Sequence, residues 1–161
     1  MRIARKRIVT GVGLFLIVSM LAGCLSAPPF EGVAEDFPDY GLISPEQAVT
    51  ALRVLADEPE FVLLDIRTAP EIAESHLSGA VALDFYSPTF HDNLTELERE
   101  ITYLIYCRTG NRTGKTKRSM EALGFEKVFD LDGGIRAWTN RRYPVCTGSL
   151  DAEHTCSGER P

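Results

Sequence analysis

Positive charge is scarce in this 161-residue chain: 17 Lys+Arg stand against 23 Asp+Glu, for a formal net charge of −6. That balance argues against nucleic-acid binding, which relies on clustered cations neutralising phosphates. Histidine is scarcer still. Only His76, His91 and His154 occur; no two have metal-ligand spacing, so the sequence implies no metal site and no cofactor. Internal repeats and low-complexity tracts are absent. The longest apolar stretch, Ile8 to Ala22, runs fifteen residues and contains glycine, too little for a comfortable membrane span.

That stretch fits the hydrophobic part of an export signal. It follows a basic region of Arg2, Arg5, Lys6 and Arg7 and ends in Leu21-Ala22-Gly23-Cys24, which has the form of a lipobox. Residues 1–23 are therefore expected to be a lipoprotein signal peptide, with Cys24 lipidated as the first mature residue. An ordinary secretory signal, or an uncleaved anchor with Cys24 incidental, is the alternative. A diacylglycerol thioether supplies two acyl chains, enough for stable anchoring. The expected location is extracytoplasmic, on the periplasmic or cell-surface side of a membrane. Without residues 1–23 the chain keeps 13 basic and 23 acidic side chains, the mark of a well-hydrated surface. Residues 24–40 lack clear periodicity and are read as a flexible tether, with a reach on the order of 20–25 Å.

Beyond the tether the length suits one domain, residues 41–148, with a C-terminal tail at 149–161. Leu42-Ile43 reads as a short edge strand. Ser44-Pro45-Glu46-Gln47 has the form of a helix start, with Ser44 as N-cap and Gln47 reaching back. Ala48, Ala51, Leu52 and Leu55 share one face of that helix. Phe61 to Ile66 is a continuous apolar run, expected of a strand covered on both faces. Pro70 to Ser75 is a short helix candidate and Ala80 to Leu83 a strand. Ser87 to Arg99 is expected to be helical in its second half. Ile101 to Tyr106 is expected as the central strand, Thr113 to Leu123 as a helix, Lys127 to Phe129 as the last strand and Gly133 to Asn140 as the final helix. The alternation implies an α/β fold, a mostly parallel sheet of about five strands with helices on both faces.

Chemistry concentrates in Tyr106-Cys107-Arg108-Thr109-Gly110-Asn111-Arg112-Thr113. A thiol at a strand end, a short glycine-containing loop and a helix start together favour negative charge through loop amides and the helix N-terminus. Arg108 and Arg112 add to the field. Cys107 is expected to ionise below the free value of about 8.5 and to act as a nucleophile; a core cysteine at the end of a buried strand is the plain alternative. Four residues separate Cys107 from Arg112, where tyrosine phosphatases use five, and Tyr106 stands where those enzymes carry histidine. The tighter ring suits the extra sulfur of a persulfide better than a phosphoryl group.

The loop resembles that of the rhodanese (sulfurtransferase) superfamily in its small single-domain form. Asp65-Ile66-Arg67 with Glu71, His76, Gly79 and Ala80 resembles the family's DxR…E…H…GA segment. Leu131-Asp132-Gly133-Gly134-Ile135-Arg136-Ala137-Trp138 resembles its L-x-GG-x-x-x-W block, and Tyr143-Pro144-Val145 its usual ending. The three blocks come in family order across about Leu42 to Gly148.

The resemblance implies a thiosulfate sulfurtransferase without a cofactor. Cys107 is the expected catalytic residue, with Arg108, Thr109, Gly110, Asn111, Arg112 and Thr113 binding a small sulfur-containing anion. A thiol or cyanide would then accept the sulfur. A non-enzymatic module that carries sulfur or senses redox state for an envelope protein partner is the alternative. Asp65 and Arg67 would support the site, and Arg67 has Glu71 within reach as a partner. His76 reads as a structural histidine and Trp138 as a core or rim aromatic; His91 and His154 stand isolated. Cys146 and Cys156 are expected to pin the tail through a disulfide in an oxidising compartment, unless one of them serves to resolve a Cys107 persulfide.

Overall fold

The structure is a computed structural model that describes residues 38–150 and 154–159. The expected signal peptide, Cys24 and nearly all of the tether lie outside the described residues. Five strands make one parallel sheet: β1 (Gly41–Ile43), β2 (Phe61–Asp65), β3 (Val81–Ala82), β4 (Thr102–Tyr106) and β5 (Val128–Leu131), in spatial order β1-β5-β4-β2-β3. The helices are α1 (Pro45–Leu55), α2 (Ala69–Glu74), α3 (Phe90–Thr95), α4 (Asn111–Ala122) and α5 (Gly134–Asn140). Leu42-Ile43 falls on an edge strand and β4 holds the centre of the sheet.

Local signals set several of these elements. Ser44 and Gln47 form the reciprocal cap of α1: the Gln47 amide donates to Ser44 Oγ at 3.3 Å and the Ser44 amide to Gln47 Oε1 at 2.9 Å. That satisfies two amides a helix start leaves open. Ala48, Val49, Ala51 and Leu52 bury the opposite side of the helix. Two core clusters cover the two faces of the sheet. Successive side chains of a strand alternate between faces, and β4 follows the rule strictly. Leu104 and Tyr106 pack with residues of α1 and α5, including Leu52 and Trp138. Tyr103, Ile105 and Cys107 pack on the other face with Leu94 of α3 and Met120 of α4. The same alternation therefore places Cys107 on the face of the helix that follows it.

Two expectations are corrected. Helix α3 ends at Thr95 rather than filling the second half of Ser87–Arg99. Glu96, Glu98 and Glu100 crowd that stretch with like charge, and tertiary contacts draw its residues away: Arg99 Nε donates to the Leu123 carbonyl at 2.8 Å and Tyr103 Oη to the Glu98 carbonyl at 2.9 Å. The strand around Lys127 is also not the last. Two short strands follow, β6 (Cys146–Thr147) and β7 (Thr155–Cys156), paired antiparallel with Cys146 opposite Cys156. A disulfide joins those two cysteines, and Cys107 is the free cysteine among the described residues.

Candidate active site

Cys107 follows the last residue of β4, at the carboxyl end of the central strand, where open parallel sheets gather ligands. Its side chain is 1% exposed. Burial alone would raise its pKa. The amides of Thr113, Thr109, Arg112 and Gly110 oppose that and outweigh it, so the thiol lies below its ordinary value. The Gly110 amide donates to Sγ at 3.2 Å, and Thr113 Oγ1 lies 3.9 Å away. The ring of donors thus runs from Thr109 to Thr113, rather than from Arg108, whose side chain is exposed. Gly110 precedes α4 with φ +92°, in the left-handed region that glycine enters without steric cost.

The loop is fixed from behind by the first turn of α5, which the pair Gly133-Gly134 opens. The Ile135 amide donates to the Cys107 carbonyl at 2.9 Å and the Arg136 amide to the Arg108 carbonyl at 3.2 Å. The N-terminal amides of α5 therefore hold the loop's carbonyls away from the sulfur. Gly134 makes this approach possible. With φ +57°, any Cβ there would stand 2.4 Å from the Cys107 carbonyl oxygen and 2.7 Å from the Arg108 carbonyl carbon.

Asp65 and Arg67 form a second support. Asp65 lies in register with Tyr106 across the β2–β4 pairing. Arg67 Nε donates to Asp65 Oδ1 at 2.9 Å and Nη2 to Oδ2 at 2.5 Å, with both residues buried. Burial would lower the Arg67 pKa, but its bonds to Asp65 more than offset this and raise it. The expected pairing of Arg67 with the Glu71 carboxylate is not what forms. Arg67 instead bonds the carbonyls of Glu71 and Ser75, at 3.1 and 2.7 Å, anchoring the C-terminal half of α2. The Asp65 carboxylate, two residues away and equally buried, is the nearer and better desolvated partner.

The Glu71 carboxylate is thereby left for Arg112. Arg112 Nη1 donates to Oε2 at 2.7 Å and Nη2 to Oε1 at 2.5 Å, a bidentate pair between α2 and the active loop. The bonds from Arg112 hold the Glu71 pKa down to about 2 against the opposing effect of burial, with Thr68 adding further bonds. Much of the positive field expected from Arg112 is therefore matched by a carboxylate. The Arg112 guanidinium also lies 5.5 Å from the ring centroid of Tyr86, an exposed aromatic beside the loop.

Tyr106, placed where phosphatases carry histidine, is fully buried and accepts the Leu77 amide at 3.1 Å. Burial holds its hydroxyl far above the range in which it would ionise, so it acts as a brace. Trp138 is likewise a core residue, with Nε1 donating to the Pro144 carbonyl at 2.9 Å. His76 is buried, with Nδ1 3.1 Å from the Ile72 carbonyl. His154 is not isolated as the sequence suggested: its ring meets that of His76 edge-on, with centroids 5.3 Å apart.

A buried thiol held by loop amides at the carboxyl end of a parallel sheet defines the class of site. Residues 48–141 match the family model of the rhodanese-like domain. A protein named thiosulfate sulfurtransferase GlpE from Pseudomonas entomophila is 32% identical over 115 residues, 71% of this chain and 98% of that one. A protein named sulfurtransferase from Allochromatium vinosum is 32% identical over 91 residues, 56% of this chain and 83% of that one. The crystal structure of a rhodanese-related protein from Thermoplasma volcanium superposes with a TM-score of 0.56 at 23% identity, over 66% of this chain and 97% of that one. The chain belongs to the rhodanese-like domain family and has sulfurtransferases among its relatives.

Proposed function

We propose that this protein is a thiosulfate sulfurtransferase in which Cys107 carries the sulfur. The observation that carries the reading is the ring of amides around Cys107 Sγ, which favours the thiolate despite its burial. The thiolate attacks the outer sulfur of thiosulfate. A Cys107–sulfur bond forms, the sulfur–sulfur bond of the donor breaks and sulfite leaves with the electron pair. The terminal sulfur of the resulting persulfide is anionic and is held by the amides of Thr109, Gly110, Arg112 and Thr113. A thiolate or cyanide then attacks that outer sulfur and Cys107 departs as the thiolate. This two-step cycle implies ping-pong kinetics.

Arg108 is exposed at the loop and attracts the anionic donor; Asn111, also exposed, is the first residue of α4. Asp65 and Arg67 position α2 and, through Glu71, the loop. The lipobox at Leu21–Cys24 supports anchoring through Cys24 on the outer side of a membrane. Intact-mass analysis after thiosulfate treatment tests the chemistry: one sulfur atom is added to the wild type and none to Cys107→Ser. No addition to the wild type, or equal addition to the variant, overturns it. Steady-state turnover with a small thiol distinguishes an enzyme from a carrier that releases sulfur only to a protein partner.

A further inference from the structure

Away from Cys107, the tail assembles a second group of sulfur and nitrogen ligands. His76 and Cys146 face each other across a narrow antiparallel bridge: the His76 amide donates to the Cys146 carbonyl at 2.8 Å and the Cys146 amide to the His76 carbonyl at 2.7 Å. Directly paired residues send their side chains to the same face. Cys146 in turn is paired with Cys156. His154 stands just before β7, and its ring meets that of His76 edge-on with centroids 5.3 Å apart. The four positions thus come to one side of a small ladder. One ligand atom from each of His76, Cys146 and His154 falls within 4.8 Å of the others.

His76 has the form of a prepared ligand. Its Nδ1 is engaged by the Ile72 carbonyl, and a carbonyl can only accept, so that nitrogen carries the proton. Nε2 then presents its lone pair, and it is buried without a hydrogen-bond partner. A ring with one nitrogen bonded to a backbone carbonyl and the other free is how metal-bound histidines are oriented. A buried nitrogen left unsatisfied otherwise destabilises the fold.

We propose that His76, His154, Cys146 and Cys156 form a zinc site gated by the Cys146–Cys156 disulfide. With the disulfide closed, neither sulfur is a thiolate and the set is incomplete. A thiol or dithiol reductant opens it, supplying two electrons and two protons and becoming a disulfide itself. Zn²⁺ then binds the two sulfurs and two imidazoles, and the thiol protons pass to water. Two sulfur and two nitrogen donors in tetrahedral array suit zinc. Cys156 is exposed, so an incoming thiolate reaches its sulfur, and exposed disulfides are the labile ones. The site needs nothing from Cys107 and is independent of sulfur transfer.

The test uses the full chain with Cys24→Ser and Cys107→Ser, leaving the tail cysteines as its thiols, and Co²⁺ as a spectroscopic stand-in for Zn²⁺. After reduction and removal of the reductant, one equivalent of Co²⁺ should give thiolate charge-transfer and tetrahedral d–d bands that Zn²⁺ abolishes. The oxidised protein should give neither. Adding Cys156→Ser removes the gate and leaves the three ligands that lie together, so metal binding should need no reduction. Adding Cys146→Ser also opens the gate but removes the sulfur that lies with both imidazoles, so binding there should be weaker than in Cys156→Ser. His154→Ala, an exposed position, should weaken binding of the reduced protein at least about tenfold. Bands in the oxidised protein, none in the reduced protein, no binding by the Cys156→Ser form, or unchanged affinity in His154→Ala would each overturn the site.

Discussion

Glu71 and Arg112, 41 residues apart in the chain, share two parallel hydrogen bonds of 2.7 and 2.5 Å across the mouth of the active loop. Their pairing ties α2 to the start of α4 and matches a cation that acts on Cys107 with an anion.

Glu71→Gln should therefore tighten donor binding and flatten the dependence of stability on acid. Freed of its counter-charge, Arg112 should favour the Cys107 thiolate further and lower the KM for thiosulfate. The folded pKa of Glu71 is depressed from 4.5 to about 2. Its stabilisation is thus present above pH 4.5 and is lost as pH falls towards 2. The wild type should lose on the order of 2 kcal/mol across that window through this group, a loss the variant should not show. Urea unfolding at several pH values gives the difference, and equal pH slopes would contradict the pairing.

Gly134 tests the support behind the loop. Gly134→Ala places a methyl against the Cys107 and Arg108 carbonyls, on a backbone conformation that alanine avoids. Strain and displacement together should cost about 3 kcal/mol of stability. Loss of the alignment between amides and sulfur should cut turnover at least about tenfold. Gly114→Ala is the control: a Cβ there meets open space, so its effects should be small. Similar losses in both variants would remove the special role of Gly134.

These relationships divide by how far apart their members lie in sequence. The Ser44 cap, the strand ending at Tyr106 and the Cys107 loop are built from contiguous residues and were legible as local patterns. The Glu71–Arg112 pair was not. Arg67 stands at a plausible helix-start spacing from Glu71, and only the fold shows that Asp65 takes it first. The backing of the loop by Gly134 was equally hidden, because the glycine pair reads as a motif but not as a contact with Cys107. His154 appeared isolated because its partner, His76, is brought to it by the tail hairpin.

Asp130, buried on β5, should oppose Glu71 in its effect on pH dependence. Burial raises its pKa from 3.8 to about 6, with a bond from Thr113 as the partial offset, and Oδ1 has no hydrogen-bond partner. A raised carboxyl favours the fold when protonated; that benefit is complete below pH 3.8 and is lost as pH rises through 6. Asp130→Asn should stabilise the protein by about 2–3 kcal/mol at pH 7 and change little below pH 4. Calorimetric melting at the two pH values decides it: equal shifts at both would show that the carboxyl does not carry this strain.

Cys107 itself provides the most direct check on the electrostatics of the loop. Four amides hold its pKa below the ordinary thiol value while burial works to raise it. The rate of alkylation by a small neutral electrophile should therefore reach half its maximum at a lower pH than the roughly 8.5 of a free cysteine. Thr113 supplies one of the amides and its hydroxyl lies 3.9 Å from Sγ. Thr113→Val keeps the amide and removes the hydroxyl, so the midpoint should rise only slightly. Gly110→Ala strains the φ +92° backbone and should displace the 3.2 Å amide contact, moving the midpoint upward by more. Sulfur uptake from thiosulfate should follow the same order, because the ionised fraction governs attack. If Gly110→Ala left the midpoint unchanged, the amide ring would not be the source of the low pKa.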